Sequence, residues 1–303
     1  MSPVALLFIY CLLILLASLA GGWIPLLLRL THKRMQLAIS VVAGFMLGVG
    51  VLHLLPHALR QSRSIEDVVI WLLTGFLVMF FVERFFCFHH HDVPEGDQAD
   101  EPLHDRDHVL VHPGYEQHKL TWSGAAVGLT LHSIIAGVGL AASIQAESPA
   151  DEHGTLAGLA VFLVIFLHKP FDSMTLGTLL AIGRWSTTWR HAINTLFALA
   201  IPLGAALFYM GAAWLGEGES ETVGLALAFV TGTFLCIAMS DLLPELQFHR
   251  HDRIKLSAAL VLGLALAWSI NYLESQSHVH HERHAPQHDS HAEDQLIDHN
   301  HRH

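Results

Sequence analysis

Long apolar runs separated by short polar connections set the pattern of this chain. Runs at residues 3–28, 36–59, 66–87, 121–145, 154–182, 191–215, 222–245 and 254–273 are long enough to cross a hydrocarbon core, which takes about 20 residues of helix. The pattern predicts an all-α integral membrane protein with eight transmembrane helices. The first run lacks a basic flank and exceeds the roughly 7–15 apolar residues of a signal peptide, so it reads as a span. Two segments break the rhythm, 88–120 and 274–303. Residues 1–87 then carry spans 1–3 and residues 121–273 carry spans 4–8.

Composition agrees with the pattern. The 303 residues are 52% hydrophobic with only 16 Lys and Arg and a mean hydropathy of +0.43, which excludes an ordinary soluble domain. Cys11, Cys87 and Cys236 stand singly in apolar segments, so they suggest packing and neither a disulfide framework nor a CxxC site. Eleven of the sixteen basic residues fall in connections 1–2, 3–4, 5–6 and 7–8. By the positive-inside rule these are cytoplasmic, and both termini lie outside. The formal net charge of −11 argues against a nucleic-acid partner and for a cation.

The two interrupting segments are crowded with histidine and acid. The first holds His89, His90, His91, His104, His108 and His112, and the second holds His278, His280, His281 and His284 among others. Such tracts bury too little apolar surface to fold, so both are expected to be disordered, and their imidazoles suit weak, exchangeable metal binding. A solubilising tail is the plain alternative for the second.

Span 2 from Gly44 reads GFMLGVGVLHLLPH, and span 7 from Gly232 reads GTFLCIAMSDLLPE. The alignment pairs Gly44 with Gly232, His53 with Asp241, Pro56 with Pro244 and His57 with Glu245. Because spans 2 and 7 cross in opposite directions, spans 1–3 and 6–8 are expected to form an inverted repeat, an arrangement common in transporters. His53 and His57 would then lie near the outer mouth of a pathway, and Asp241 and Glu245 near the inner one.

Ionisable groups inside a membrane are costly and mark pathways. Span 4 carries His132 near its middle, and span 5 carries His168, Lys169 and Asp172 at similar depth. A helix stacks His168 and Asp172, four apart, on one face. With His132 as a third ligand they form a candidate Zn²⁺ site, and Ser133, a water or a backbone carbonyl could supply a fourth. Pro170 and Pro202 each deprive a carbonyl of its helical partner. Lys169 is the discordant member, since an ammonium repels a metal. It either pairs with Asp172 three residues on or stands where a second metal would sit.

The motifs HLLPHAL in span 2, HSIIAG in span 4, HKPFDS in span 5, IPLGA in span 6 and DLLPEL in span 7 resemble those of the ZIP (Zrt/Irt-like) metal transporters over nearly the whole chain. The resemblance implies a ZIP-like bundle with a central site on spans 4 and 5. It also implies movement of spans 2, 4, 5 and 7 against the rest, and transport of Zn²⁺, or of Fe²⁺, Mn²⁺ or Cd²⁺, toward the cytoplasm. Zn²⁺ is then a substrate, with no cofactor, and the chain is not an enzyme. Partners are the metal ion and the bilayer, with a homodimer left open. A bacterial inner membrane follows from overall resemblance.

Departures from the family pattern matter too. Where many members have HNxPEG, the Asn and Glu positions are Ser133 and Ala136; a Glu before the span 6 proline is Ile201; and His57 stands for a Glu. Lys169 matches branches in which lysine replaces a second-metal ligand, so one central metal is expected. A cation-diffusion facilitator would have six spans and a folded C-terminal domain, and an intramembrane metalloprotease would need HExxH or its equivalent. A non-transporting, regulatory sensor of the same family is the remaining alternative.

Overall fold

The computed structural model describes residues 2–22, 32–86, 117–147, 156–215, 219–248 and 253–282. All its elements are helical, as lipid requires of a chain that must satisfy its own backbone hydrogen bonds. They are α1 (Pro3–Gly21), α2 (His32–Gly48, a π-helical turn Val49–Leu54, then Leu55–Gln61), α3 (Ile65–Phe86), α4 (Gln117–Glu147), α5 (Leu159–Ile182), α6 (Thr187–Ala198 and Ala200–Leu215), α7 (Glu219–Phe248) and α8 (Arg253–Glu282). Each of the eight is long and apolar enough to cross a membrane.

Boundaries shift where local chemistry decides them. Pro3 at the first helical turn and Ser2, whose Oγ accepts from Ala5 N at 3.3 Å, start α1, as an N-cap should. Ser64 Oγ accepts from Asp67 N at 3.3 Å at the start of α3. The fifth helix begins at Leu159 and not at 154, because Gly158 turns the chain with φ of +72°, a conformation that favours glycine. The sixth begins earlier, at Thr187, and breaks at Leu199, three residues before Pro202. The eighth runs to Glu282, past the expected boundary at 273.

Packing displays the repeat. A methyl on Gly44 of α2 would strike the Leu260 carbonyl of α8, and one on Gly263 would strike that of Val41. In the second pair of helices, Gly232 of α7 meets the Leu72 carbonyl of α3, and Gly75 meets that of Phe229. The register that aligns Gly44 with Gly232 also aligns Val41 with Phe229, Leu72 with Leu260 and Gly75 with Gly263. The α2–α8 and α7–α3 interfaces are therefore copies of one another, built on glycines that let backbones approach closely, as membrane helices do. The pairs α4–α6 and α1–α5 complete the bundle; there Gly137 faces the Ile201 carbonyl and Gly204 that of Ile134.

The solvent for this fold is lipid. Val69, Ile70 and Leu73 on α3 and Val261, Leu262 and Trp268 on α8 are exposed, while His53, His132, Ser133, His168, Lys169 and Ser173 are buried. The polar residues sit where the bundle encloses them. Among the cysteines, Cys11 is partly buried and Cys236 buried, both free, and Cys87 lies outside the described residues.

Candidate metal centre

His132 on α4 and His168 and Asp172 on α5 converge. His132 Nε2 and His168 Nε2 are 3.3 Å apart, and each lies 3.8 Å from Asp172 Oδ2. Two nitrogens bound tetrahedrally to one Zn²⁺ at about 2.0–2.1 Å must be about 3.3 Å apart. The imidazole pair already has that spacing, and the carboxylate needs only a small approach.

Second contacts orient these groups. His168 Nδ1 is 2.8 Å from the Val164 carbonyl, which can only accept a proton. That contact assigns the ring proton to Nδ1 and directs the Nε2 lone pair into the cluster, the arrangement typical of metal-ligating histidine. Asp172 Oδ2 is buried without a hydrogen-bond partner. A buried, unpaired carboxylate oxygen is costly, and a divalent cation would satisfy it. α1 backs the site, with Ser18 Oγ 2.8 Å from Ser173 Oγ and Gly21 against the Pro170 backbone.

Lys169 turns away from Asp172. Its Nζ donates to Ser133 Oγ and sits 3.5 Å from the centroid of the Phe197 ring, a cation–π geometry. Neither contact is the intrahelical ion pair considered from the sequence. Ser133 in turn donates to the Leu129 carbonyl at 2.7 Å, so its hydroxyl is committed to two partners outside the His–His–Asp cluster. No sequence rule predicted that pairing, because Ser133 and Lys169 meet only when α4 packs on α5.

His53 and His57 of α2 come together at another place, with ring centroids 4.9 Å apart. Their third neighbour is Glu147, whose Oε1 lies 2.8 Å from His53 Nε2. Glu147 is not among the residues the sequence singled out; its position at the end of a span, level with an HxxxH pair, was the available signal. Asp241 and Glu245 lie on α7, with side chains outside the described residues. His89, His90, His91, His104, His108, His112 and His284 also lie outside them. His278, His280 and His281 lie on the last turns of α8, with side chains likewise undescribed.

The comparisons with known proteins decide the family. The model described as "ZIP Zinc transporter" matches residues 4–127 and 111–271, which is most of the chain. The chain belongs to the ZIP zinc transporter family. Similar proteins include Zinc transporter ZIP9-B of Xenopus laevis, 24% identical over 88% of this chain and 97% of its own length. Zinc transporter 3 of Arabidopsis thaliana is 24% identical over 84% and 80% respectively, and Zinc transporter ZIP13 of Mus musculus 27% over 83% and 72%. This ZIP chain is thus a multi-pass membrane transporter of divalent metal and not an enzyme. Its departures are structural facts as well: Ala136 and Ile201 are buried apolar residues where the resemblance implies carboxylates.

Proposed function

We propose that this ZIP chain carries Zn²⁺ toward the cytoplasm through a midplane site made by His132, His168 and Asp172, holding one metal at a time. The carrying observation is the convergence of two imidazole Nε2 atoms, 3.3 Å apart, on a buried carboxylate oxygen that has no hydrogen-bond partner. Mixed nitrogen and oxygen donors favour Zn²⁺ and its borderline neighbours over Ca²⁺ or Mg²⁺, so Fe²⁺, Mn²⁺ and Cd²⁺ are the competitors to test. Lys169, held on Ser133 and Phe197, keeps a cation beside the site and disfavours a second metal there.

The distribution of basic residues supports cytoplasmic connections 1–2, 3–4, 5–6 and 7–8 with both termini outside. The membrane assigned is a bacterial inner membrane, on overall resemblance. The His-rich tracts 88–120 and 274–303 concentrate metal or regulate uptake without forming the permeation path.

The test is Zn²⁺ flux into proteoliposomes carrying the full chain, with each competitor metal run alongside. Zn²⁺ entry that Asp172→Ala abolishes is the expected result. Normal transport by Asp172→Ala would overturn the site, and metal binding by the wild type without any flux would favour the sensor reading.

A further inference from the structure

We propose that His53, His57 and Glu147 form a second divalent-metal site, at the end of the bundle that carries connections 2–3 and 4–5. It goes beyond the central site and stands whether or not that assignment holds. One ligand atom from each residue lies within 4.8 Å of the others. Two imidazoles and one carboxylate make a set suited to Zn²⁺, with a fourth position left for water.

The backbone builds this cluster on purpose-shaped turns. Pro56 has no N–H to offer the Leu52 carbonyl, and α2 widens just before it into the π-helical turn Val49–Leu54, where Leu55 N–H reaches back to the Gly50 carbonyl. Such π-turns concentrate at functional positions. This one contains His53 and sets it beside His57. Glu147 is oriented from the opposite side, since its Oε2 accepts from Gly158 N at 2.6 Å. Gly158 holds φ of +72°, and a Cβ there would press on Ile144 and Ser143. The carboxylate is therefore gripped by the α4–α5 turn while its other oxygen faces His53.

His53 is 2% exposed and the Glu147 side chain 7%, and His57 is partly buried. At a rise of about 1.5 Å per residue, Glu147 lies roughly 22 Å along α4 from His132. Leu140, Ile144, Val161 and Ile165, all fully buried, occupy α4 and α5 between the two clusters. One ion cannot serve both.

A purely structural His53–Glu147 hydrogen bond is the competing account, and His57 separates the two, because it is outside that bond. The experiment uses the full chain in detergent, with chelator-buffered Zn²⁺ as probe. Bound metal is counted, and protection of His57 from imidazole acylation is read by mass spectrometry. Zn²⁺ should protect His57. Glu147→Gln should raise the half-protecting concentration by at least about tenfold, since loss of even an outer-shell partner costs about 10–100-fold in metal affinity. His57→Ala should lower the metal count by about one equivalent, as expected for a three-ligand site, while eluting and melting like the wild type. Asp172→Asn should leave the His57 protection curve in place, which distinguishes this site from the central one. An unchanged metal count in folded His57→Ala, or a protection curve unmoved by Glu147→Gln, would overturn the proposal.

Discussion

The two histidine clusters share a formula and differ in how much they leave undone. In the centre, Asp172 Oδ2 is buried with no hydrogen-bond partner, and the nearest cationic side chain is engaged with Ser133 and Phe197. At the far end of α2, both Glu147 oxygens already have partners, His53 Nε2 at 2.8 Å and Gly158 N at 2.6 Å. A cation entering the centre relieves the cost of an orphaned carboxylate. One entering the His53 cluster must first displace a hydrogen bond. The same ligand types should therefore bind tightly in the first place and loosely, with faster exchange, in the second.

The largest effects should fall on the centre. Asp172→Ala should abolish Zn²⁺ flux in proteoliposomes, whereas His57→Ala should keep the maximal rate and raise the half-saturating Zn²⁺ concentration. Equal losses of maximal rate from both variants would erase the distinction between the clusters.

Next come the glycines that hold the helices around both sites. Gly44→Ala and Gly232→Ala are repeat mates, each driving a methyl into a carbonyl of the facing helix, and each should cost about 1–3 kcal/mol from overpacking. Gly211→Ala, with nothing within 4 Å of its added methyl, should leave the melting temperature in detergent unchanged. Unequal losses at the two mates would show that the interfaces differ in stiffness despite their shared register.

Lys169→Met tests whether Lys169 limits the proposed centre to one ion. The substitution keeps an unbranched chain against Phe197 and removes the charge, so Zn²⁺ binding should persist while selectivity or the number of metals bound in competition assays changes. Two tightly bound midplane metals with Lys169 intact would refute the role given to it.

The smallest change should follow deletion of residues 88–116 or 283–303, which include no residue of either cluster. Apparent affinity or regulation should move by a modest factor, with flux retained. Complete loss of transport in a correctly inserted deletion variant would mean that a tract belongs to the path.

Eight spans, the repeat register and the shared face of His168 and Asp172 were legible in the linear sequence because each depends on local rules. Apolar length sets a crossing, four-residue spacing puts His168 and Asp172 on one face, and shared motifs align Gly44 with Gly232. Even the break in α6 was foreshadowed by Pro202. What the sequence could not reveal were the contacts made across helices. Lys169 could have paired with Asp172 by spacing alone; the packing of α4 and α6 against α5 turned it toward Ser133 and Phe197. Glu147 becomes a partner of His53 only because α4 carries it to that level and the Gly158 turn supplies a hydrogen bond to hold it. Spacing along one helix is set by its 3.6-residue turn, but the choice among partners on different helices depends on which faces pack together, and that is decided only when the bundle closes.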